Sequence, residues 1–441
     1  MNSDLQAAGE LFTESEARRL VETILPMITA DDAVVNVRHA REATTRFSNN
    51  AIAQGTWQDR LTVTLSATFG HRTGKASVDA TDAEALRALV RRTEDAARLA
   101  PPDPEYLPSL GPQKYAAVAG FSEATSRLRD EDAARLAGEI ISAAVSAGFK
   151  ASGTIETCSG STAVATRHGL FAYEASTLAQ MGCTVASGDS SGYGRDLSPD
   201  IARLNASKLA AGAIEGARRS AAPRSVPAGR YTTLLLPGAV ATLTAPVFSN
   251  ARSTLDGLTY LSGRIGQKLA GESITLRSDP ASPDLPYAPF DDEGVPRRPQ
   301  VWVRNGVFSG MFWDRWTASR NGVEPVPYPD SFEMEGSDRS LDDLIAGIDR
   351  GLLVTRVWYV RYVKVDQTLL TGMTRDGTYW IEEGRIAYPV KNLRFNDTAL
   401  GMLQRTSALG RPERSPSQWG LPGVVPPLVV QEWNFVGVTE F

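Results

Sequence analysis

LLTGMTRDGTYWIEEGRIAYPVKNLRF, residues Leu369–Phe395, is the stretch that decides the fold of the second half of this 441-residue chain. Two dipeptides that favour turns, Asp376-Gly377 and Glu383-Gly384, interrupt this stretch. Such dipeptides are typical of the tight turns that join antiparallel strands. The stretch therefore predicts successive β-hairpins.

The chain on both sides of this run has the same character from Tyr231 onward. Asn305-Gly306 separates two short apolar runs and predicts another hairpin. One helix interrupts the strands, with Ser340 as its N-cap and Gly351 past its end. The most apolar stretch, Tyr231–Phe248, is interpreted as buried strands. The second half is thus predicted to be a mainly antiparallel sheet or barrel.

The first half alternates helices with strands, and the order of its elements occurs twice. Thr13 and Glu16 have the spacing of a capping box before an amphipathic helix. Each unit is predicted to consist of a helix, strands and a closing helix. The predicted segments are a helix after Thr13, strands at Ala33–Val37 and Arg60–Phe69, a helix from Thr81, a helix at Asp130–Ala147, strands at Thr154–Arg167 and Leu170–Ala186, and a helix from Ser198-Pro199.

These patterns predict an α+β protein with two domains. Pro223–Gly229 is rich in Pro, Gly and Ser, and the pattern changes behind it. We therefore expect an N-terminal domain at residues 1–222, built from two duplicated helix-strands-helix units, and a C-terminal, mainly β domain at residues 229–441. A chain of this length normally forms more than one core, because single cores stop growing at roughly 250 to 300 residues.

Composition and charge argue against several functional classes. The net charge is −5 and the arginine pairs are isolated, which disfavours nucleic-acid binding. Met1–Glu10 lacks the features of an export signal, and Tyr231–Phe248 is shorter than the ~20 residues that span a bilayer. Two cysteines, Cys158 and Cys183, form no disulfide framework. We expect a cytoplasmic protein without a membrane partner.

No catalytic motif is complete in this sequence. Gly188-Asp189-Ser190-Ser191-Gly192 fits the pattern of a nucleophile elbow, but the histidine that such a serine needs would have to follow it, and no histidine follows His168. A solvated loop leading into a helix is the favoured interpretation. His39, His71 and His168 are too far apart in sequence to indicate a zinc motif.

The stretch Arg350–Tyr362 is dense in arginine and aromatic residues with a strand-like pattern. It could line a groove that receives an extended peptide by strand addition, with Arg356 and Arg361 contacting carboxylates or carbonyls. An ordinary strand with two surface arginines explains the same pattern equally well.

Several motifs together resemble the TldD/PmbA family, also called modulators of DNA gyrase, over nearly the whole chain. The matching stretches are Arg46–Asn50, Arg72–Ser77, Ser262–Gly266, Gly351–Tyr362, Leu370–Gly377 and Pro389–Asn396. The family is known for two-domain chains and for metallopeptidases in which two related subunits enclose a chamber. The resemblance implies a similar fold and a role in peptide processing.

The resemblance also implies that this chain is the TldE/PmbA-like subunit. In the catalytic subunit a His-Glu-x-x-x-His helix before the Ser-Gly-Arg-Ile-Gly-like stretch, and a Cys near the C-terminus, hold zinc. Here the corresponding stretch, Leu243–Asn250, reads LTAPVFSN, and no Cys follows Cys183. The chain is therefore expected to carry no metal and no catalytic residue, with zinc in a TldD-like partner subunit.

The residues expected to contact peptide or partner are Arg264, Arg356, Tyr359 and Arg361. A homodimeric peptide-binding or scaffold protein without peptidase activity is the alternative, and it would be favoured if no paralogue with His-Glu-x-x-x-His were encoded beside this chain in the genome. A gyrase modulator that binds DNA is disfavoured by the acidic balance.

Overall fold

A computed structural model describes residues 11–439. It shows an α+β protein built from one antiparallel sheet with helices on one face, a second sheet, and a closed β-barrel. The predicted fold class is confirmed. Met1–Glu10, on which the expected absence of an export signal rests, lies outside the described residues.

The first half of the chain forms a six-stranded antiparallel sheet in the order β3-β2-β1-β4-β5-β6. Its elements are α1 (Glu14–Ile24), β1 (Asp32–Ser48), β2 (Ala51–Phe69), β3 (Arg72–Val78), α2 (Ala83–Leu99), α3 (Glu123–Ser126), α4 (Asp130–Ser146), β4 (Lys150–Thr166), β5 (Phe171–Ser187), β6 (Ser190–Ser198) and α5 (Ala206–Arg219).

The repeated order of elements is present in this half. One unit supplies α1, β1 to β3 and α2, the other supplies α4, β4 to β6 and α5, and the two meet where β1 pairs with β4. A shared detail is a glycine in the last strand of each unit. A Cβ atom at Gly74 would clash with the backbone of Thr93 and Ala97, and one at Gly192 would clash with that of Ala213 and Ala217. Both closing helices therefore lie directly on a strand.

The second half contains the remaining strands and five short helices among the described residues. They are β7 (Gly229–Leu235), α6 (Pro237–Thr244), α7 (Ala251–Leu255), β8 (Leu276–Ser278), β9 (Gln300–Arg304), β10 (Val307–Phe308), α8 (Arg315–Asn321), β11 (Phe332–Met334), α9 (Leu341–Ala346), β12 (Arg350–Lys364), β13 (Leu369–Glu382), β14 (Arg385–Pro389), β15 (Leu393–Thr398), α10 (Ala399–Gln404), β16 (Thr406–Leu409), β17 (Glu413–Ser415), β18 (Gly423–Val425) and β19 (Leu428–Val438). Four single 3₁₀ turns complete the described chain, at Leu25–Met27, Ile201–Arg203, Ala245–Val247 and Val365–Gln367.

Five of these strands close into a barrel. The pairing runs β7-β19-β15-β13-β12 and returns from β12 to β7, with a parallel joint only between β12 and β7. Apolar side chains from the barrel strands, such as Phe395 and Trp433, fill one core together with residues of the second sheet, such as Phe332. That sheet has the order β10-β9-β8-β11-β18-β17.

Contacts between the sheet of the first half and the barrel place the two parts side by side. The Ser191 hydroxyl donates to Asp376 over 2.8 Å, and the Tyr379 hydroxyl donates to the Gly216 carbonyl over 3.0 Å. The last helix of the first half ends at Arg219 and β7 begins at Gly229. The domain boundary expected between residues 222 and 229 stays a prediction.

Three sequence predictions of local structure are wrong. Within Tyr231–Phe248 only β7 is a strand, because Pro237 begins the helix α6, whose residues Ala239–Thr244 are all buried. A helix that is apolar on every side has no periodicity to separate it from a strand. Asp376-Gly377 makes no hairpin, and β13 runs through it as an irregularity opposite Thr355. Finally, Ser190–Ser198 is a strand, and the predicted helix begins only at Ala206.

Other predictions hold. Glu383-Gly384 and Asn305-Gly306 are hairpin turns, and Thr13 and Glu16 form the expected capping box. Cys158 and Cys183 are unpaired thiols. No helix among residues 11–439 combines the length and the apolar character needed to cross a bilayer.

Candidate functional site

The strand predicted to receive a peptide, β12, is paired on both sides only at its beginning. It pairs with β13 from Arg350 to Lys364, but with β7 only from Gly351 to Val354. Among the described residues no strand covers its second edge beyond Val354. This half of β12 therefore offers backbone groups to an additional strand.

Arg356 is held inside the chain. Its guanidinium donates to the Asp376 carboxylate through Nε over 2.8 Å and also through Nη2, and it lies 3.8 Å from the centre of the Tyr193 ring. Asp376 also accepts the hydroxyl proton of Ser191. Since the edge of the guanidinium binds Asp376 and one face packs on Tyr193, Arg356 joins β12, β13 and β6 and is placed to support the strand.

Tyr359 and Arg361 lie at an irregularity in the open half of β12. Tyr359 has a φ of 53°, and the register with β13 shifts between Trp358 and Arg361. The Tyr359 side chain is 55% exposed and lies 4.5 Å from the Arg361 guanidinium, measured to the ring centre. The two side chains therefore form one exposed cation and ring pair.

The side chain of Gln418 binds the backbone of Val360, which lies between Tyr359 and Arg361. Its side-chain amide accepts from the Val360 N–H and donates to the Val360 carbonyl, each over 3.1 Å. By binding both the N–H and the carbonyl of Val360, the amide makes the hydrogen bonds that a neighbouring strand would otherwise make there. Nothing in the local sequence of Gln418 signals this contact, since the two residues lie 58 positions apart.

Aromatic side chains surround the open edge. Trp358 is 43% exposed, and Tyr362 and Trp419 lie 5.5 Å apart between ring centres. Burial raises the pKa of Tyr362 to about 12, so its hydroxyl stays a hydrogen-bond donor at neutral pH. Trp358 and Tyr362 fall within Arg350–Tyr362, the stretch dense in arginine and aromatic residues, whereas Trp419 does not.

A cleft of about 600 Å³ runs beside this edge, between β6 and the barrel. Tyr193, Arg356, Trp358, Arg414 and Gln418 are among its lining residues. Its walls thus combine rings, guanidinium groups and an amide, which suits a polypeptide better than a small apolar ligand.

Arg264 does not join this group. It lies in an exposed turn where its N–H donates to the Leu261 carbonyl over 2.8 Å and its own carbonyl accepts from Gln267 over 3.0 Å. Within residues 11–439 no hydrogen bond, ion pair or ring contact connects its side chain to the β12 residues named above. Its expected contact with peptide or partner stays a prediction, as do those of the other three residues.

The possible metal ligands are dispersed. Nε2 of His39 lies 2.6 Å from Asp59, Nε2 of His168 lies 3.4 Å from Asp32, and the His71 ring packs on Tyr106. In the part of the chain that the structure describes, no three His, Cys, Asp or Glu side chains come together as a metal site.

A second cleft, of about 760 Å³, lies between the helix-free face of the first sheet and the segment around Asp291. Glu174 on β5 lies in it, and burial raises the pKa of this carboxyl to about 7. Burial also raises the pKa of Asp330, which forms an ion pair with Arg297 over 3.0 Å. Burial raises the pKa of the half-buried Asp291 as well.

Comparisons with known proteins agree with this architecture. A crystal structure of TldE from Thermococcus kodakarensis superposes with a TM-score of 0.85 at 20% identity, covering 96% of this chain and all of that one. A protein described as a modulator of a DNA gyrase, from Thermotoga maritima, gives a TM-score of 0.85 at 18% identity with the same coverage. These likenesses establish the fold.

The sequence comparisons concern the second half of the chain and short segments. Residues 228–437 match the family described as the PmbA/TldA metallopeptidase C-terminal domain. A metalloprotease of Archaeoglobus fulgidus is 42% identical over 72 residues, which are 16% of this chain and 17% of that protein. A TldD homolog of Buchnera aphidicola, also a metalloprotease, is 24% identical over 171 residues, 35% of this chain and 34% of that protein. The chain thus matches well under half the length of these curated relatives.

The match places the second half of this chain, which contains the barrel, in the class of PmbA/TldA metallopeptidase C-terminal domains. This chain carries the C-terminal domain of the TldD/PmbA family, and the resemblance seen in its motifs is confirmed.

Proposed function

We propose that this chain is the non-catalytic, TldE/PmbA-like subunit of a heterodimeric zinc metallopeptidase of the cytoplasm, which processes small or unfolded peptides. The zinc and the catalytic residues would belong to a TldD-like partner subunit. This chain would help to enclose the substrate and hold it in an extended form.

The composition of Leu243–Asn250 carries the proposal. The segment contains no His, Glu, Asp or Cys, and Leu243 and Thr244 are fully buried in the core. A catalytic zinc needs ionisable ligands and an open coordination position. The residues of this chain therefore do not fit the zinc site of the family, and no catalytic step is assigned to them.

The open half of β12 supports the peptide-binding part of the proposal. A peptide lying along this edge would exchange backbone hydrogen bonds with residues of β12 other than Val360, whose backbone binds Gln418, while Trp358, Tyr359 and Tyr362 would contact its side chains. Arg361 is exposed and could meet a carboxylate. Arg356, bound to Asp376, would act through the position of the strand.

The test is a pull-down of the tagged chain from its native host, with mass spectrometry and a zinc assay of the eluate. We expect a stoichiometric partner that carries His-Glu-x-x-x-His and about one zinc per pair, as one catalytic site implies. A metal-free homodimer would contradict the proposal and favour a stand-alone peptide-binding protein.

Within the assembled complex, Tyr359→Ala and Arg361→Ala separate peptide contact from partner contact. Loss of peptidase activity with the complex intact would identify substrate contacts, and loss of the complex would identify an interface. Arg135→Ala on α4, an exposed arginine far from β12 in the sequence, is the control and should change neither property.

A further inference from the structure

The second cleft, of about 760 Å³, is separate from the open edge of β12 and shares no lining residue with the cleft beside that edge. Its floor is the helix-free face of the first sheet, and the opposite wall contains Arg297 and Asp330 of the second half. Phe290 lines the cleft and packs against Val164 and Ala172 of the sheet, which holds this wall in place. The volume is within the range of ~300–1,000 Å³ that small-ligand sites occupy.

Glu174 presents a carboxyl oxygen without a partner to this cleft. Among the described residues its Oε2 atom is buried and has no hydrogen-bond donor, and its Oε1 atom is 3.5 Å from the Ser176 hydroxyl. Arg297, the nearest cation on the opposite wall, already donates to Asp330 and to the Phe290 carbonyl. Because a buried acceptor without a donor is unfavourable, the Oε2 atom is suited to a donor from a ligand.

Two arginines on the same face of the sheet have free guanidinium groups. Arg38 and Arg60 are exposed and line the cleft, and no hydrogen bond or ion pair within residues 11–439 engages either side chain. Arg38 and Glu174 lie in one row across the sheet, because both pair with Thr162 of β4. Their Cα atoms are therefore two strand spacings apart, which is about 10 Å.

The charges of the cleft are divided by depth. The half-buried charged residues are three carboxyl groups and one guanidinium, whereas the exposed ones are three cations and two carboxylates. The first set is Glu174, Asp291, Asp330 and Arg297, and the second is Arg38, Arg60, Lys75, Glu42 and Asp292. The inner part is thus acidic and the outer part is mainly basic. Such an arrangement is complementary to a ligand with a cation at one end and an anion at the other.

We propose that this cleft binds a short peptide through its two free termini. The N-terminal ammonium would donate to Glu174, and the C-terminal carboxylate would accept from Arg38 and Arg60. An extended chain covers ~3.3–3.6 Å per residue, so about three residues reach from Glu174 to Arg38. A single amino acid does not fit, because both of its charges are attached to one carbon.

The floor between the charged groups leaves room for a peptide backbone. Ala40 and Gly160 pair with each other in the row next to Arg38 and Thr162, and they are the small residues of this face within the cleft. The peptide would therefore lie across the strands of the sheet. This site goes beyond the proposed function and does not rest on it, since it needs neither the edge of β12 nor a partner subunit.

The test is a ligand-observed NMR titration of the purified full-length chain with trialanine. We expect saturable binding with a Kd below about 1 mM, as the size of this ligand allows. Acetylation of the N-terminus and amidation of the C-terminus should each weaken binding at least about tenfold, because each removes one charge-assisted contact.

Two variants assign the termini. Glu174→Gln should weaken binding of trialanine about tenfold but leave N-acetyl-trialanine unchanged, and Arg38→Gln should have the same effect with respect to trialanine amide. Glu139→Gln and Arg135→Gln, both exposed changes on α4, are the matched controls and should leave binding of all three peptides unchanged.

The pH dependence of binding gives an independent readout. Burial raises the pKa of Glu174 to about 7, and an ammonium binds the ionised carboxylate better than the neutral acid. Lowering the pH from about 7.5 to about 5.5 should therefore weaken binding of trialanine more than about tenfold, while the peptide ammonium stays charged. Glu174→Gln should remove this dependence.

Three results would overturn the proposal. They are the absence of saturable binding, equal binding of the free and the blocked peptides, and binding that Tyr359→Ala abolishes but Glu174→Gln leaves unchanged. The last result would assign the peptide to the edge of β12. None of them would bear on whether a zinc-containing partner binds this chain.

Discussion

At the scale of single residues, the Asp376 carboxylate is the main polar contact between the barrel and the first sheet. It is 4% exposed and accepts from Arg356 and from the Ser191 hydroxyl. A carboxylate that is removed from water needs such partners, because burial of an unpaired charge is strongly unfavourable. The ion pair therefore depends on both groups being present.

Asp376→Asn should lower the free energy of unfolding by about 2–3 kcal/mol, because the Arg356 guanidinium would keep its buried position without a counter-charge. Asparagine tolerates the positive φ of 53° at this position, so the backbone should be unchanged. Urea denaturation is the measurement.

Arg375→Ala is the control for this change. Arg375 lies 3.8 Å from the same carboxylate, but its side chain is 45% exposed. Exposed ion pairs contribute little, so we expect a loss below about 0.5 kcal/mol. Equal losses in the two variants would contradict the assignment of Arg356 as the partner that matters.

The sequence shows that the segment of β12 is dense in arginine, but it does not show which group each arginine contacts. Arg356 was a candidate for peptide contact, and its carboxylate partner lies twenty positions away on β13. That distance is bridged because β12 and β13 pair antiparallel, which places Arg356 opposite Arg375 and next to Asp376. The exact register also shifts between Val354 and Arg356, and such shifts leave no clear pattern in a single sequence.

At the scale of elements, each repeated unit closes with a helix pressed on its last strand. Gly74 and Gly192 occupy equivalent places in this contact, each facing backbone atoms of two helical residues four positions apart. The helix can approach so closely because glycine has no Cβ atom. The close packing of each closing helix on its strand therefore requires glycine at these two positions.

Gly192→Ala should destabilise the chain by about 2–3 kcal/mol, because the new methyl group would meet backbone that cannot rotate away. Gly212→Ala, within the same helix α5, is the matched control, since a Cβ there meets nothing within 4 Å. It should be neutral or stabilising by up to about 1 kcal/mol. Thermal unfolding of both variants measures the difference in stability. If Gly192→Ala is as stable as the wild-type chain, α5 can move away from β6.

Gln418 has a comparable role for β12. Gln418→Ala should leave the Val360 N–H without its partner and speed hydrogen exchange of that amide by about tenfold or more, as the loss of ~1.4 kcal/mol implies. Gln267→Ala is the control, since its exposed side chain donates only to the Gly263 carbonyl over 3.3 Å. Unchanged exchange at Val360 would mean that the bond does not persist in solution.

Elements with local signals were predicted well and elements defined by packing were not. The capping box of Thr13 and Glu16 marks the start of α1, and Glu383-Gly384 marks a true hairpin. The helix α6 has no such signal, because every residue from Ala239 to Thr244 is buried. The open edge of β12 was also beyond prediction, since it depends on where the neighbouring strand ends.

At the scale of the whole molecule, an acidic group lies between the two halves. Glu174 of β5 shares a cleft with Asp330 and Arg297 of the second half. The pKa of Glu174 is raised to about 7, mainly by burial and in part by the nearby charge of Asp330, while Ser176 and Arg297 oppose the shift. The two halves therefore meet more favourably when this carboxyl is protonated.

This shift makes stability depend on pH. The pKa of Glu174 is about 7 in the folded chain and near its ordinary value of 4.5 in the unfolded chain, so the folded state binds more protons between these values. The free energy of unfolding should fall by about 3 kcal/mol as pH rises through this range, at ~1.4 kcal/mol per pKa unit.

Glu174→Gln should remove this fall. The variant should therefore have a higher free energy of unfolding than the wild-type chain at pH 8 but not at pH 4. Chemical denaturation at several pH values measures the difference between the two proteins. Glu139→Gln, an exposed change on α4, should follow the wild-type curve. A difference between wild type and Glu174→Gln that does not vary with pH would rule out ionisation of Glu174 as the cause.

The closed barrel has a consequence for how the chain is made. Its first strand, β7, lies between β12 and β19, so both neighbours of β7 are synthesised after it, and β19 ends only at Val438. At the usual ~5–20 residues per second, a ribosome needs about 10 to 40 s to proceed from β7 to β19. During that time both edges of β7 are unpaired on the nascent chain, and its Leu234 and Leu235, which are fully buried in the folded chain, lack their core partners. The second half of this protein is therefore expected to depend on chaperones during translation, and a premature stop codon within β19 should leave the barrel unable to close.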